Sequence, residues 1–417
     1  MAGWLPGNLL HFKIWVVYYP HIGKQDGESL RVTIQFCNMN IVKNASVPSQ
    51  TFFQFLFQNR RNKIILYLAA AAIIVQFTIF KYLYPFANYI HADSFYYLMA
   101  ADRNSTIDIY PIGYSKFLRL VSVFAKPDFV LVSLQYLMIQ GSTLFLLFSI
   151  FYFYKANKVT QTVLFSFMVV NPLFLHLGNL ISSDGIFLAL SMTWFALLLW
   201  IIYKPSNKII GWHAIVLFAA FTVRYNALIY PIIAVLAFGM AKLSVGKKLL
   251  GLGFVVLLCG CFVGLTLYQY KKLTGYWQFS AFSGWLLANN AMNIYQLVDR
   301  ADRKPVPLQF RALDNMIRKF YDTHPNLQLA RASTEYMWTE HFPLMQYRDN
   351  LFKTKDTSEI NFKKWASVGT LYSSYGLCII KMYPRHFLRY FVWPNSKNYF
   401  APPVEYLAYY NWGQPTV

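Results

Sequence analysis

Between residues 64 and 270 the chain is written as a series of apolar runs, and these limit the fold more than any short motif does. The runs are IILYLAAAAIIVQFTIFKYLY (64–84), FVLVSLQYLMIQGSTLFLLFSIFYFY (129–154), a shorter one at 161–178 that contains Asn171-Pro172, GIFLALSMTWFALLLWIIY (185–203), two short runs at 209–223 and 225–241 that meet at TVRYN, and LLGLGFVVLLCGCFVGLTLYQY (249–270). A helix needs about 20 apolar residues to cross a bilayer. The pattern therefore predicts an all-α polytopic membrane protein, with a transmembrane bundle of about seven helices over residues 61–270. Only 13% of residues are charged, against about 25% in an ordinary soluble domain.

The net charge of +21 comes without a basic run interleaved with a nucleic-acid fold signature, so no nucleic-acid partner is expected. The cations instead mark sidedness. Arg60, Arg61 and Lys63 precede the first run, and Lys155 and Lys158 follow the second. Lys204 and Lys208 follow the fourth, and Lys242, Lys247 and Lys248 precede the seventh. Loops rich in Lys and Arg stay in the cytoplasm. The acids between residues 63 and 270 are Asp93, Asp102, Asp108, Asp128 and Asp184, and all fall in the other set of loops. That face is expected to be extracytoplasmic.

Residues 1–60 are expected to be a cytoplasmic extension, and Met39 offers a second start that would make residues 1–38 dispensable. Residues 271–417 carry more charge and are expected to form a mainly α extracytoplasmic region, with 366–383 associated with the membrane. The four cysteines, Cys37, Cys259, Cys261 and Cys378, show neither disulfide nor zinc spacing. In the last region Trp277, Trp285, Trp338, Trp365 and Trp393 suit core and interface packing better than sugar stacking.

The first outer loop, residues 85–128, is long for a plain connection. Within it SFYYLMAAD and YSKFLRLVSVF have helical apolar spacing, suited to juxtamembrane helices lying along the interface. Asp93 opens the first of these helices, where an N-cap is the plainer role and a general base the functional one. Asp102 and Asp108 are expected to be solvated. The second outer loop, GNLISSDG, puts Asp184 just before a helix, again a capping context. The third shrinks to Arg224-Tyr225-Asn226. A guanidinium so close to hydrocarbon calls for an anionic partner, a carboxylate or a phosphate. His91 and His176 are lone histidines, more often structural than catalytic. No Walker or G-x-G-x-x-G loop for a nucleotide is present.

The order and shared sidedness of ADSFYYLMAAD, YPIGYSKFLRL, VVNPLFLHLGNLISSDGIFLAL and VRYNALIYP resemble GT-C superfamily membrane glycosyltransferases, in the branch of lipid A aminoarabinose transferases and protein O-mannosyltransferase relatives. The resemblance covers roughly residues 60–240 and implies a GT-C-like bundle. It also implies a polyprenyl-phosphate-linked sugar donor and a lipid, glycan or protein acceptor. By this resemblance Asp93 is the catalytic acid of the first loop, and Asp184 and Arg224 are substrate-binding, with Tyr97, Tyr225 and Asn226 beside them. No cofactor is required by it. A divalent cation, Mg2+ or Mn2+, would have Asp93 and Asp184 as ligands. Ser94 stands where many such enzymes carry a second acid, and many of them have more membrane helices.

The expected activity is thus inverting sugar transfer on the extracytoplasmic face of a multi-pass protein of the bacterial inner membrane. Two other classes compete. A transporter or flippase for lipid-linked sugars would place ionisable groups near mid-membrane, often in inverted repeats, and neither is evident. A non-catalytic scaffold would use the loop aspartates only as caps.

Overall fold

The computed structural model describes residues 49–90, 93–324, 334–352 and 358–400. Among them every regular element is helical, and an isolated parallel bridge joins Asn88 to Leu180. Cys37, His91 and the expected extension at residues 1–38 lie outside the described residues.

A short α1 (Phe52–Phe57), capped by Thr51, leads into α2 (Arg60–Leu83). Two helices of the following loop, α3 (Asp93–Asp102) and α4 (Gly113–Phe124), precede α5 (Asp128–Phe153). α6 (Lys158–Val169) and α7 (Pro172–Asn179) are the two parts of one broken stretch. They are followed by α8 (Ser183–Tyr203), α9 (Asn207–Val223), α10 (Tyr230–Met240) and α11 (Val245–Thr274). All seven apolar runs are therefore helical. Among the described residues five stretches are long and apolar enough to cross a membrane, namely α2, α5, α6 with α7, α8 and α11, while α9 and α10 are shorter. Even α8, with 21 residues, extends about 31 Å at about 1.5 Å per residue, the thickness of a hydrocarbon core.

α5 and α8 pack on each other as the inner pair, with Ile139 of α5 clustered with Ala189 of α8. Leu147 and Phe148 of α5 face α2 and α6, and Trp194 and Ile201 of α8 face α9 and α10. α2 and α11 turn apolar side chains outward, and Leu250 is 72% exposed and Ile74 65%. A helix apolar on all sides is stable in hydrocarbon and not in water.

Two departures from simple spans have local causes. α6 and α7 separate at Asn171-Pro172, because proline lacks an N–H and pushes the residue before it to an extended conformation. Asn171 then caps α7 through the Leu173 amide at 3.0 Å. The Val169 carbonyl freed by the break accepts from Gln76 of α2 at 2.9 Å and Gln140 of α5 at 3.2 Å. An apolar interior tolerates a broken helix only when such groups find partners. The run at 225–241 begins as a 3-10 turn, Tyr225–Ile229, and α10 starts only at Tyr230, where Pro231 fits the first turn.

The remaining helices are α12 (Ala281–Tyr295), α13 (Arg311–Thr323), α14 (Glu335–Trp338), α15 (Pro343–Leu351), α16 (Ser358–Ser367) and α17 (Gly369–Met382), with further helix through Pro384–His386, Phe387–Val392 and Trp393–Phe400. α12 and α17 cross so closely that a Cβ on Gly284 would lie 1.9 Å from the Gly369 carbonyl oxygen. The expected membrane-associated segment thus turns Tyr372, Tyr375, Gly376 and Ile379 inward. Trp285 is fully buried, stacks on Trp365 at 5.4 Å and donates to its carbonyl at 2.9 Å. Trp338 also stacks near-parallel to Trp365 at 6.3 Å, whereas Trp277 and Trp393 are more than half exposed. Lys271, Lys272, Arg385 and Arg389 are exposed.

Candidate functional site

Three loops meet at one end of the bundle, and backbone pairing holds the first two together. The Asn88 amide donates to the Asn179 carbonyl and the Ile181 amide to the Asn88 carbonyl, both at 2.9 Å. Ser94 extends the clamp. Its hydroxyl accepts from the Ile90 amide at 2.9 Å and donates to the Ile181 carbonyl at 2.7 Å. Ser94 therefore fixes the start of α3 on the loop before α8. At the opposite end Lys204 donates to the Tyr152 hydroxyl at 3.0 Å, so the basic turns after α5 and α8 share that end.

Asp93 is the first residue of α3, where the helix dipole favours negative charge. Its Oδ1 accepts a 2.6 Å hydrogen bond from the Tyr110 hydroxyl. One turn on, Tyr97 is buried and its hydroxyl lies 3.0 Å from Ser183 Oγ. Asp184, in the first turn of α8, is bound through Oδ1 by Arg224 Nη1 and through Oδ2 by the Ser182 hydroxyl. Ser182 is the cap of α8, accepting from the Asp184 amide at 3.3 Å. Asp184 itself is thus committed to Arg224, the C-cap of α9. The same end of α9 receives α4: a Cβ on Gly113 would fall 2.5 Å from the Thr222 carbonyl carbon, so glycine allows α4 to start against that backbone.

Asp93, Tyr97, Asp184 and Arg224 are brought together. Burial pushes the Tyr97 hydroxyl up to about 12, and Arg224, Asp93 and Asp184 all act on it electrostatically. Tyr225 faces elsewhere, packing on Phe279 at 4.4 Å and Phe221 at 5.7 Å. Asn226 is exposed. His176 is edge-on to Phe80 at 5.1 Å and Tyr84 at 5.6 Å, a packing role. Asp128 accepts from the Tyr89 hydroxyl at 2.6 Å. Asp102 is exposed as expected, but Asp108 is not a solvated loop residue: burial pushes its carboxyl up to about 6. The cause is the docking of its loop on α11 and the C-terminal helices, where Ile109 is buried in their core and Tyr270 donates to the Asp108 carbonyl at 3.0 Å.

Sequence reasoning passed over Tyr110 and Ser183, although YPIG and ISSDG were the signals that contained them. Among the described residues no three His, Cys, Asp or Glu side chains converge on a cation site, and Asp184, one of the two expected ligands, is engaged by Arg224.

A carboxylate held by a phenol can accept a proton from a hydroxyl group. A guanidinium has five N–H donors, so one used on Asp184 leaves capacity for a second anion. Apolar helices around such a pair suit an amphipathic substrate. No family model, curated protein or solved structure matches the chain.

Proposed function

We propose that the protein is a membrane glycosyltransferase of the GT-C type, working on the extracytoplasmic face of a bacterial inner membrane and using a polyprenyl-phosphate-linked sugar. The observation that carries this reading is the convergence of Asp93 with the Asp184–Arg224 pair around Tyr97, at the end of the bundle opposite the basic turns. That arrangement offers a base and an anion site side by side at the edge of the apolar helices. The outer side of α4, with Leu120, Val123 and Phe124 all exposed, suits contact with lipid next to that site.

In the proposed step an acceptor hydroxyl gives its proton to Asp93. Its oxygen forms a bond to the anomeric carbon as the bond from that carbon to the phosphate oxygen breaks. The electron pair leaves with the polyprenyl phosphate, whose charge Arg224 stabilises. Tyr110 holds the carboxylate so that one oxygen faces the acceptor. Direct displacement inverts the anomeric centre. The test is transfer from labelled polyprenyl-phosphate sugars by purified protein, with Asp93→Asn alongside. Transfer by the wild type that the variant loses supports the reading. An Asp93→Asn protein with wild-type turnover removes Asp93 from it.

A further inference from the structure

A hollow of about 650 Å3 lies between α13 and α15, and the proposed chemistry does not use it. Small-molecule sites usually enclose about 300–1,000 Å3. α13 makes one wall. It turns Leu313, Ile317 and Tyr321, spaced four residues apart, into the core. Asn315, Met316, Lys319, Phe320 and Thr323 come out on another side and line the hollow. His324 follows that helix, and His341, Phe342 and Gln346 close the space at the start of α15.

The floor is apolar and the rim polar. Met316, Phe320 and Phe342 are half-buried, and the two phenyl rings meet edge-on at 5.2 Å. Asn315, Lys319, His341 and Gln346 are exposed, and among the described residues their side chains have no hydrogen-bond or ion-pair partner within the chain. His324 is oriented: its ring stacks on Phe320 at 4.6 Å, and its Nδ1 lies 3.0 Å from the Phe320 carbonyl oxygen. A carbonyl only accepts, so Nδ1 carries the proton and Nε2 is left for a ligand. The lining holds one lysine and two histidines and, among the described residues, no Asp or Glu. The acids of α13 are neutralised elsewhere, Asp314 by Arg318, and Asp322 by Arg300 and Arg303.

We propose that this hollow is a binding site for an acidic saccharide, one whose sugar ring carries a carboxylate or a phosphate. Lys319 and His341 meet the anionic group. The Asn315 and Gln346 amides both donate and accept, as sugar hydroxyl groups do, and His324 Nε2 takes a further hydroxyl. The C–H face of the ring rests on Phe320 and Phe342. A purely apolar ligand would leave the rim unpaired, and a lone inorganic anion would leave the floor uncovered. None of these residues belongs to the Asp93, Asp184 and Arg224 group, so the inference goes beyond the transferase reading and does not depend on it.

The experiment is calorimetric titration of the full-length protein in nanodiscs with digalacturonate, glucose 6-phosphate, neutral cellobiose and inorganic phosphate. Thermal melting first establishes that Lys319→Gln, His341→Gln and the double variant fold, as the exposure of both positions leads one to expect. The wild type should bind one of the two acidic sugars at least tenfold more tightly than cellobiose or inorganic phosphate. Which of them binds better distinguishes a carboxylated from a phosphorylated ligand. The double variant should lose at least tenfold in affinity for that sugar, and Arg224→Ala less than twofold, which separates this site from the donor site. Four results would each overturn the proposal: no binding of either acidic sugar, equal affinity for cellobiose, inorganic phosphate bound as tightly as the sugars, or an affinity unchanged in the double variant. Binding is read without turnover. A protein that binds as expected but neither transfers nor hydrolyses a sugar donor therefore removes the transferase reading and keeps this site.

Discussion

Asp93 and Tyr110, separated by 17 residues of chain, are joined by a 2.6 Å hydrogen bond from the phenol to the carboxylate. Hydrogen bonds to charged groups contribute about 1.5–3 kcal/mol. Tyr110→Phe keeps the ring that packs on Tyr97 and Phe282 and removes only this bond. Its kcat should fall about 10-fold or more, with the melting temperature nearly unchanged. Steady-state kinetics with a saturating donor decide the matter, and an unaltered kcat would leave Tyr110 with packing alone.

The Asp184–Arg224 pair is about one-third exposed on each side, with side-chain values of 41% and 32%. Such a pair adds at most about 1 kcal/mol to stability, so its larger role is expected in donor binding. Arg224→Ala should lower kcat/KM for the lipid-phosphate donor about 30-fold, matching about 2 kcal/mol for a charge-assisted bond. Arg224→Lys should recover only part of this, because a point charge does not reproduce the planar fork. Asp184→Asn should have a smaller effect. Equal kinetics in all three variants would dissociate the pair from the donor.

Gly113 meets the backbone at Thr222 so closely that a methyl group must displace one helix or the other. Gly113→Ala should therefore destabilise the protein by about 1–3 kcal/mol, the usual cost of overpacking. It should also move α4 away from the site and reduce activity. Thermal melting in detergent measures the first effect, and an unchanged midpoint would show that the two helices tolerate separation.

Asp108 gives a pH dependence whose sign can be stated. Burial first, against the Ile109 amide and Arg103, moves its carboxyl from 3.8 to about 6. Tyr96 of α3 and Tyr270 of α11 also face it. A raised acid binds its proton more tightly in the folded state, so stability falls as pH rises from about 4 to about 6 and the loss is complete above that. Two units correspond to about 3 kcal/mol. Asp108→Asn should melt higher than the wild type at pH 7.5, and the advantage should shrink towards pH 4.5. A variant no more stable at pH 7.5, or one whose advantage grows at low pH, would contradict the buried carboxylate.

The spans were legible in the sequence because length and apolarity are local properties, although the short run at 161–178 was read as one helix and divides into α6 and α7 at Asn171-Pro172. The residues Asp93, Asp184 and Arg224 could be named because few charges occur near the apolar runs. What brings them together could not be read. The bridge of Asn88 to Leu180 is made by backbone groups far apart in the chain, and it leaves no side-chain signature. The environment of Asp108 depends on α11 and on Ile109 entering a core built mostly from residues beyond 270. A loop acid looks solvated until those elements are in place. Tyr225, adjacent to Arg224 in the chain, turns to Phe279 because the 3-10 turn after α9 directs successive side chains apart.

The most direct measurement is sugar transfer by purified wild type and Asp93→Asn, with labelled polyprenyl-phosphate sugars and a glycoside acceptor. A general base in the proposed role contributes about 10²–10⁴-fold to the rate. The variant should therefore lose at least 100-fold in kcat while retaining donor binding and its melting temperature. Wild-type turnover in Asp93→Asn, or wild-type protein that binds the donor lipid yet neither transfers nor hydrolyses it, would contradict the glycosyltransferase.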